Sequence, residues 1–408
     1  MNLKSGTLLW MNEFPDAPEY PTLEADLTCD VVVIGSGVSG ALAAYYFVQA
    51  GLDVVVIDKR KIGHGSTSAN TGLLQFSNDK GLAACIHTFG QEAGVRYYKI
   101  CQQAIDDLEV ISKQLSIPTH YRRRDSLYFA SNEEDVPQLQ MEYEALKRFG
   151  FPVTYFGEEE VKEHFSFTKS GAIYSENEAD INPYRLAVSI FEDSAKRGAR
   201  IYQETEMVHV KSNEAGVTVY TNHDHVIKAR YAVMASGYET QEMKKNSAAT
   251  IESTYAVATQ QLNDFPGWHK QCLIWETKRP YLYLRTTPDN RILVGGMDEP
   301  VLDAKQRDKH LFSKRDALLK EVEALFPDLP ELKPEFFWSA SFGSTRDGFP
   351  FFDTQSDFPN CFFLLGYGGN GTVYSTMGAK IIRDYMLGNP NRDANLFKFK
   401  RGKYRTAK

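Results

Sequence analysis

A glycine pattern near the start of the chain has the spacing of a phosphate-binding turn. Gly35, Gly37 and Gly40 follow an apolar run at residues 28–34 and precede a helix-like stretch that stops at Gly51. Gly35 permits a tight turn, Gly37 lets backbone amides approach a pyrophosphate, and Gly40 allows the helix to pack closely on the strand. The positive end of that helix favours phosphate. The turn therefore predicts a bound dinucleotide.

A carboxylate ends the second apolar strand, which covers residues 53–57. Asp58 can accept hydrogen bonds from both ribose hydroxyls, an arrangement that a 2′-phosphate would prevent. Strand, helix, strand and acid occur in the order of a dinucleotide-binding unit, and this order makes the glycine pattern specific. The alternative is a strand–turn–helix that binds no ligand. The other residues of the turn, Ser36, Val38 and Ser39, belong to the same predicted site.

A second group of chemically capable side chains lies on a predicted hairpin, formed by residues 281–285 and 291–296. Tyr281, Tyr283 and Arg285 share one face of its first strand, because side chains alternate along a strand. Two phenols and a guanidinium suit a pocket for an anionic, partly apolar substrate. The same face could instead be the solvent side of a sheet, and both interpretations stay open.

The composition is that of an ordinary globular protein, with 42% hydrophobic and 24% charged residues in a chain of 408. A net charge of -7 argues against a general nucleic-acid binder. Residues 1–20 lack a signal-peptide pattern, and no apolar run approaches the roughly 20 residues of a membrane span. The five cysteines are scattered without a CxxC pair, which favours a reduced cytoplasmic protein without a metal site.

Four later segments share a pattern with a known superfamily. They are KRKIGHGSTSANTGLL at 59–74, a predicted meander ending in Ala-Ser-Gly at 198–237, WSASFGSTRDGFPFF at 338–352 and LGYGGNGTVYS at 365–375. They resemble the FAD-dependent D-amino acid oxidase, glycine oxidase and sarcosine oxidase superfamily. Within it, the motifs are most similar to those of the bacterial γ-glutamylputrescine oxidase-like subfamily. The resemblance runs from about residue 30 to about residue 387.

The resemblance implies FAD as the cofactor, bound by both ends of the chain. Small residues after the ribose acid would let backbone approach the pyrophosphate and the flavin edge. Glycines before the last helix would stabilise negative charge on reduced flavin. Besides the glycine turn and Asp58, the implied FAD-binding positions are Lys59, Arg60, Ser66, Thr67, Asn70, Thr71, Gly72, Leu73, Met207, Ala235, Ser236, Gly237, Gly366, Tyr367, Gly369, Asn370, Gly371 and Thr372.

Two departures from the family pattern refine this expectation. The last glycine loop lacks the cysteine that links the flavin in sarcosine oxidases, because Cys361 lies before the loop. His64 does not lie at the position of the family's histidyl linkage. We therefore expect FAD to be bound non-covalently. The D-amino acid and glycine oxidases place a carboxylate-gripping arginine between the tryptophan and the Asp-Gly of the third motif. Phe342 stands in that register and Arg346 is displaced from it. A larger or modified amine is thus favoured over a simple α-amino acid.

The implied activity is hydride transfer to flavin N5 from a C–N bond of a small amine or amino-acid-like substrate, with the imine then hydrolysed. Tyr283 and Arg285 would orient the substrate, with Tyr281 and Phe342 beside it. Lys278 is the candidate cation for reaction with oxygen. The alternatives are an FAD-dependent alcohol dehydrogenase for a glycerol phosphate-like substrate, and a flavin-binding subunit without turnover. The electron acceptor and the oligomeric state stay open.

The predicted fold class is α/β, or α+β overall. A Rossmann-like FAD-binding domain with a central parallel sheet and a β-meander carries an inserted antiparallel substrate domain with helices. The expected divisions are an extended N-terminal arm at 1–27, FAD-binding segments at 28–75, 176–240 and 336–390, substrate segments at 76–175 and 241–335, and a basic, solvated tail at 391–408.

Two further patterns are given structural interpretations. An apolar stripe over residues 97–115 predicts an amphipathic helix that packs on the core. Arg122, Arg123 and Arg124 precede a predicted strand, and at least two of them are expected to face water or acidic partners rather than a substrate.

Overall fold

The computed structural model describes residues 1–243, 245–389 and 391–401. Its strands are β1 (Lys4–Thr7), β2 (Leu27–Ile34), β3 (Val54–Ile57), β4 (Leu73–Leu74), β5 (Arg122–Phe129), β6 (Val153–Gly157), β7 (Gly171–Asp180), β8 (Arg200–Tyr202), β9 (Met207–Asn213), β10 (Gly216–Thr221), β11 (Val226–Met234), β12 (Ala249–Thr259), β13 (Leu273–Glu276), β14 (Leu282–Thr286), β15 (Ile292–Glu299), β16 (Pro334–Thr345), β17 (Phe351–Gln355) and β18 (Phe358–Leu365). Its helices are α1 (Leu9–Glu13), α2 (Val38–Gln49), α3 (Leu82–Phe89), α4 (Gln91–Gln114), α5 (Val136–Arg148), α6 (Glu158–His164), α7 (Pro183–Lys196), α8 (Thr240–Met243), α9 (Ala304–Leu325) and α10 (Gly371–Met386). Among these helices none is long and apolar enough to cross a membrane.

An eight-stranded sheet carries the glycine turn. Its order is β17-β18-β11-β2-β3-β8, with β10 on β11 and β9 on β10. The strands from β18 to β8 run parallel, and the continuous Val and Ile runs of β2 and β3 are buried at the centre of the sheet. Val31 and Val33 face the cluster that contains α2 and α7, whereas Val32 and Val55 pack with the meander strand β10. The predicted parallel sheet with a β-meander is confirmed.

A ten-stranded sheet forms the second layer. Its order is β1-β16-β12-β15-β14-β13-β5-β7-β4, with β6 on β7. All its pairs are antiparallel except β13 with β5. The predicted hairpin is present as β14 and β15. The predicted segment boundaries differ from this pairing, because β16 bonds to β12 along its length and β7 runs across residue 176. Residues 336–345 are thus part of the ten-stranded sheet, although they were assigned to the FAD-binding segments.

The N-terminal arm is more ordered than the sequence suggested. β1 pairs with β16, and α1 follows it directly. Trp10 is fully buried, and its Nε1 donates to the Asn70 carbonyl oxygen at 2.7 Å. The arm is extended over residues 4–7, where it pairs with the chain's own sheet, whereas residues 9–13 form a short helix that buries the indole of Trp10.

The basic tail is likewise held in its described part. Phe397 is fully buried, and Arg401 forms an ion pair with Asp347 in which Nε lies 2.6 Å from Oδ2. Arg401 is thus held by a carboxylate partner instead of lying in solvent, whereas Lys398 and Lys400 are exposed, as a solvated charge run requires. Residues 402–408, which contain the remaining basic side chains, lie outside the described residues.

The two structural patterns also have clear outcomes. The apolar stripe is confirmed in α4, where Tyr97, Ala104 and Leu108 are buried in the core. The arginines at 122–124 open β5 rather than precede it, and each one forms an ion pair. Arg122 and Arg124 contact Asp180, while Arg123 contacts carboxylates of α4.

Candidate active site

One cavity of about 380 Å³ is lined by residues from both sheets. From the eight-stranded sheet come the residues at the carboxyl ends of β2, β3, β11 and β18, which is where ligands bind in open parallel sheets. From the ten-stranded sheet come side chains of β12 to β16. The cavity therefore has a glycine-rich end at the parallel strands and a second end walled by β-sheet side chains.

The glycine turn leaves no room for side chains. Gly35 has a φ of +114°, and a Cβ placed on it would lie 2.5 Å from the Ala235 carbonyl oxygen. A Cβ on Gly40 would lie 1.8 Å from the carbonyl oxygen of Gly35, and one on Gly37 would lie 2.8 Å from Thr67 Oγ1. Gly40 does not line the cavity; it sets the approach of α2 to β2.

Asp58 lines the cavity just after β3, and hydrogen bonds from neighbouring residues hold its carboxylate. Its Oδ2 accepts hydrogen bonds from the backbone N (2.6 Å) and Oγ (2.7 Å) of Ser36, and its Oδ1 accepts one from the Arg60 amide at 2.8 Å. Burial raises the pKa of Asp58, and these hydrogen bonds lower it. Ser36 itself is buried outside the cavity wall. Its role is to orient the carboxylate, which corrects its assignment to the cofactor surface.

Two tryptophans from distant segments hold the loop at residues 66–73. Trp10 Nε1 bonds to the Asn70 carbonyl oxygen, and Trp338 Nε1 bonds to the Ala69 carbonyl oxygen at 2.9 Å. Thr67 Oγ1 accepts from the Val38 amide at 2.9 Å, which ties the loop to the glycine turn. The loop is thus a rigid wall whose predicted residues, other than Gly72, line the cavity: Ser66, Thr67, Asn70, Thr71 and Leu73.

The cations of the cavity lie at the glycine-rich end and are already paired. Arg60 makes two bonds to Glu239, with Nη1 and Nη2 at 2.7 and 2.8 Å from its oxygens. Lys59 Nζ lies 3.2 Å from the same carboxylate. Arg60 and Lys59 are the only Lys or Arg among the described residues that line this cavity. The Ala235-Ser236-Gly237 turn and Met207 complete this end.

The last glycine loop forms a third wall. The Gly368 amide donates to the Gly343 carbonyl oxygen at 2.7 Å, and Asn370 Nδ2 donates to the Ser77 carbonyl oxygen at 2.7 Å. The lining residues of this loop are Gly366, Tyr367, Gly368, Gly369, Asn370 and Gly371, the last of which begins α10. Thr372 is buried in the first turn of α10, and its Oγ1 has no hydrogen-bond partner among the described residues, so its assignment to the cofactor site stays a prediction. Gly72 does not line the cavity, because it packs closely on Ile181, and its assignment to the cofactor surface is corrected.

Aromatic rings wall the second end of the cavity. Tyr281 and Tyr283 line it with ring centroids 5.8 Å apart, and Trp275 lies edge-on to Tyr281 at 6.3 Å. Phe342 of β16 lines it as well. Gly295, opposite Tyr283 on β15, provides the necessary space, because a Cβ there would lie 2.3 Å from the Tyr283 hydroxyl. The hairpin tyrosines therefore face a pocket and not solvent.

Arg285 and Lys278 lie outside this pocket. Arg285 is buried beneath it, where Nε donates to the Thr71 carbonyl oxygen at 2.8 Å and Nη1 lies 3.2 Å from Asp180. Lys278 is exposed on the loop before β14. The prediction that Arg285 orients the substrate is wrong, because a buried carboxylate from β7 and nearby carbonyl groups hold the guanidinium. Lys278, the candidate cation for reaction with oxygen, does not line the cavity, and its side chain is exposed.

The sequence interpretation missed two carboxylates that line the aromatic end. Asp298, at the end of β15, has its pKa raised to about 6 by burial, with Glu252 and Asp79 adding to the rise. Hydrogen bonding from Thr254 opposes this effect. Asp79 accepts a hydrogen bond from the Gly369 amide at 3.2 Å. The Gly295-Gly296 pair opposite the tyrosines was the available signal that β15 borders a pocket.

Comparison with known proteins identifies the family. A family model for FAD-dependent oxidoreductases of the DAO type matches residues 30–385, and the chain belongs to this family. It is 25% identical over 388 residues to a protein of Bacillus subtilis (strain 168) described as a Rieske 2Fe-2S iron-sulfur protein, covering 94% of this chain and 73% of that one. It is 24% identical over 382 residues to gamma-glutamylputrescine oxidoreductase of Escherichia coli (strain K12), covering 91% and 87%.

The fold is also similar to that of a solved flavoenzyme. The crystal structure of glycine oxidase from Geobacillus kaustophilus superposes with a TM-score of 0.79 at 19% identity, covering 92% of this chain and 99% of that one. FAD is the cofactor of the family, and the residues present fit it. The turn without side chains suits a pyrophosphate, Asp58 suits a ribose, and the loops at 66–73 and 366–371 offer backbone to a planar ring.

Proposed function

We propose that this protein oxidises a C–N bond of a small amine, passing the electrons through FAD to oxygen or another acceptor. The observation that carries the proposal is the aromatic end of the cavity, which joins the cofactor cleft. Tyr281, Tyr283 and Phe342 line this end, and aromatic walls of this kind suit a small organic substrate. The names of the gamma-glutamylputrescine oxidoreductase and the glycine oxidase support amine chemistry.

FAD would be held by the glycine turn, Asp58 and the two backbone-rich loops. When bound, it supplies the two-electron acceptor for hydrogen from the substrate carbon. The aromatic walls exclude water and restrict the substrate to few orientations, and such positioning accounts for much of the rate. Oxidation converts the C–N single bond to an imine, which water then hydrolyses to a carbonyl compound and a free amine or ammonia.

The alcohol alternative has less support from the cavity. A glycerol phosphate-like substrate needs a dense cationic phosphate site. Among the described residues of the cavity wall, the cations are Lys59 and Arg60, both bound to Glu239 at the glycine-rich end. The aromatic end instead carries Asp79 and Asp298, which would repel a phosphate.

Anaerobic reduction of the yellow holoenzyme tests the proposal. Amines, N-methyl and D-amino acids, γ-glutamyl amines and glycerol phosphate are added in turn, and loss of flavin colour is followed. One amine is expected to bleach the flavin rapidly, and readmitting air then separates an oxidase from a dehydrogenase. Bleaching by glycerol phosphate alone would contradict the proposal.

A pair of variants links that reaction to the pocket. Tyr283→Phe removes a hydroxyl that lines the cavity, and we expect it to slow flavin reduction by about tenfold, the effect of roughly 1.4 kcal/mol. Tyr220→Phe removes the same group from β10, outside the cavity, and serves as the matched control with an unchanged rate. Equal effects of the two variants would speak against this location of the substrate.

A further inference from the structure

The charge at the aromatic end of the cavity is the starting point for a substrate class. Asp298 and Asp79 line this end, and no described Lys or Arg side chain lines it beside them. One oxygen of Asp298, Oδ1, is buried and has no hydrogen-bond partner among the described residues. A buried carboxylate oxygen without a partner is costly, and a cation or a donor stabilises it.

The walls around Asp298 suit a cation as well. Tyr281, Tyr283 and Trp275 present aromatic rings to the same cavity. Aromatic faces attract ammonium groups, and the attraction grows when water is excluded. A carboxylate combined with several aromatic rings is thus a site for a positively charged nitrogen.

The Lys and Arg side chains near this end contact other groups of the protein. Lys314 of α9 lowers the pKa of Asp298, but it donates to the Met297 carbonyl oxygen at 2.9 Å and lies 3.5 Å from Glu299. Arg279 lies over the Tyr281 ring at 4.8 Å, yet it is exposed and its Nη1 donates to three carbonyl oxygens of its own loop. Arg285 is held by Asp180 beneath the pocket. None of these cations lines the cavity to receive a substrate carboxylate.

The nitrogen that is oxidised must be neutral, since its lone pair forms the C=N bond as hydrogen leaves the carbon. It cannot also be the positive charge that Asp298 holds. Resting on the proposed C–N oxidation, we propose that the substrate is a diamine or aminoalkyl amine. It has no carboxylate on the reacting carbon, and a second, ammonium nitrogen binds Asp298 between Tyr281 and Tyr283.

Binding to the reduced holoenzyme tests this substrate class without turnover. The FAD enzyme is reduced with dithionite under nitrogen, and calorimetric titration compares α,ω-diamines with uncharged alkyl alcohols and with ω-amino acids of the same chain lengths. We expect the best diamine to bind at least about tenfold more tightly than its matched alcohol, as a buried charge pair predicts. The matched amino acid should bind more weakly than the diamine.

Variants then locate the charge. Asp298→Asn should reduce diamine affinity by at least about tenfold and leave the affinity for the uncharged alkyl alcohol within about twofold. Asp264→Asn removes the same charge from an exposed loop outside the cavity and should change neither affinity. The comparison of ligands on the unaltered protein stands even if the Asp298 variant does not fold.

The outcomes separate this inference from the proposed function. Tightest binding by the amino acid, equal binding by diamine and alkyl alcohol, or no binding by any of the three would overturn the diamine assignment. If amines bleach the oxidised flavin without preference for a second charge, C–N oxidation survives and the inference fails. If the diamine binds preferentially but no amine bleaches the flavin, the cation site survives and the proposed reaction fails.

Discussion

At the scale of single residues, the glycine turn shows how a missing side chain determines binding. The Cβ that alanine would add at Gly40 lies 1.8 Å from the Gly35 carbonyl oxygen, so α2 would have to move away from β2. Because the same turn presents its amides to the cavity, such a movement changes the phosphate site directly. Packing and ligand binding are therefore coupled through one position.

We predict that Gly40→Ala weakens FAD binding by at least about tenfold, which corresponds to roughly 1.4 kcal/mol. Titration of the apoprotein with FAD, followed by quenching of flavin fluorescence, measures the effect. Gly51→Ala is the control at the other end of α2. Its Cβ meets no atom within 4 Å, and its φ of +79° costs about 1–2 kcal/mol of stability without disturbing the turn. Wild-type affinity in the Gly40 variant would refute the steric argument.

Asp298 gives a second residue-scale prediction, which concerns pH. Its pKa is raised from 3.8 to about 6, mainly by burial, so the folded protein binds this proton more tightly than the unfolded chain does. The stabilisation by this proton is fully present below the unfolded pKa and is lost as pH rises through about 6. Asparagine resembles the protonated form at every pH. Asp298→Asn should therefore gain stability relative to wild type by roughly 2–3 kcal/mol between about pH 4 and pH 7.5.

Urea unfolding of both proteins across that pH range, with saturating FAD, measures the difference. The charged groups facing Asp298 are Glu252, Asp79 and Lys314, and all are unchanged in the variant. Only the difference between the two proteins reports Asp298, because other buried carboxyls such as Glu178 also titrate in this range. A difference that stays constant with pH would show that Asp298 does not titrate as argued.

At the scale of elements, the loop at 66–73 depends on segments that are far away in the chain. Trp10 reaches it from α1 and Trp338 from β16, and each indole donates to one loop carbonyl. A loop that lines a cofactor site must hold its backbone in one conformation to bind well. The N-terminal arm therefore contributes to the site although none of its motifs suggested this.

Trp10→Phe should keep most of the packing and remove the bond to Asn70. We expect a loss of about 1–3 kcal/mol in the free energy of unfolding, since a buried carbonyl loses its donor. FAD affinity should also fall severalfold. The matched control is Trp268→Phe, which removes a 2.8 Å bond from Nε1 to the Cys272 carbonyl oxygen in the other core. It should cost similar stability and leave FAD affinity unchanged; a parallel loss of affinity in both would contradict a specific role for Trp10.

At the scale of the whole molecule, the two ends of the chain and both sheets surround one cofactor cleft. No Cys or His is present among the described residues that line it, and Cys361 is buried in β18. FAD should then be retained by non-covalent contacts alone. Binding to the folded state only would make the stability of the molecule depend on FAD concentration.

Acid precipitation should release all the flavin into the supernatant as FAD. Free FAD at a hundredfold excess over its dissociation constant should raise the free energy of unfolding by about 2.7 kcal/mol, as mass action requires. Absorbance of the supernatant and thermal unfolding with added FAD measure the two effects. Flavin that stays with the precipitated protein would show a covalent link.

The sequence alone was sufficient for the glycine turn, for Asp58 after the second strand and for the parallel strands. It also put Tyr281 and Tyr283 on one strand face, but it left open whether that face meets a pocket or solvent. These features depend on neighbours within a few residues: strand alternation, a β-branched run, or the need for a turn without side chains. The family motifs extended this to FAD and to most of the positions that line the cavity.

Tertiary structure alone decided which charges reach the pocket. Arg285 and Tyr283 share a strand face in sequence, but Asp180 of β7 holds the guanidinium below the cavity. Asp298 lies where β15 pairs with β12, at a register shift between Ser253 and Tyr255. The partner of a charged group is set by strands that meet from distant parts of the chain, and no local pattern records that meeting.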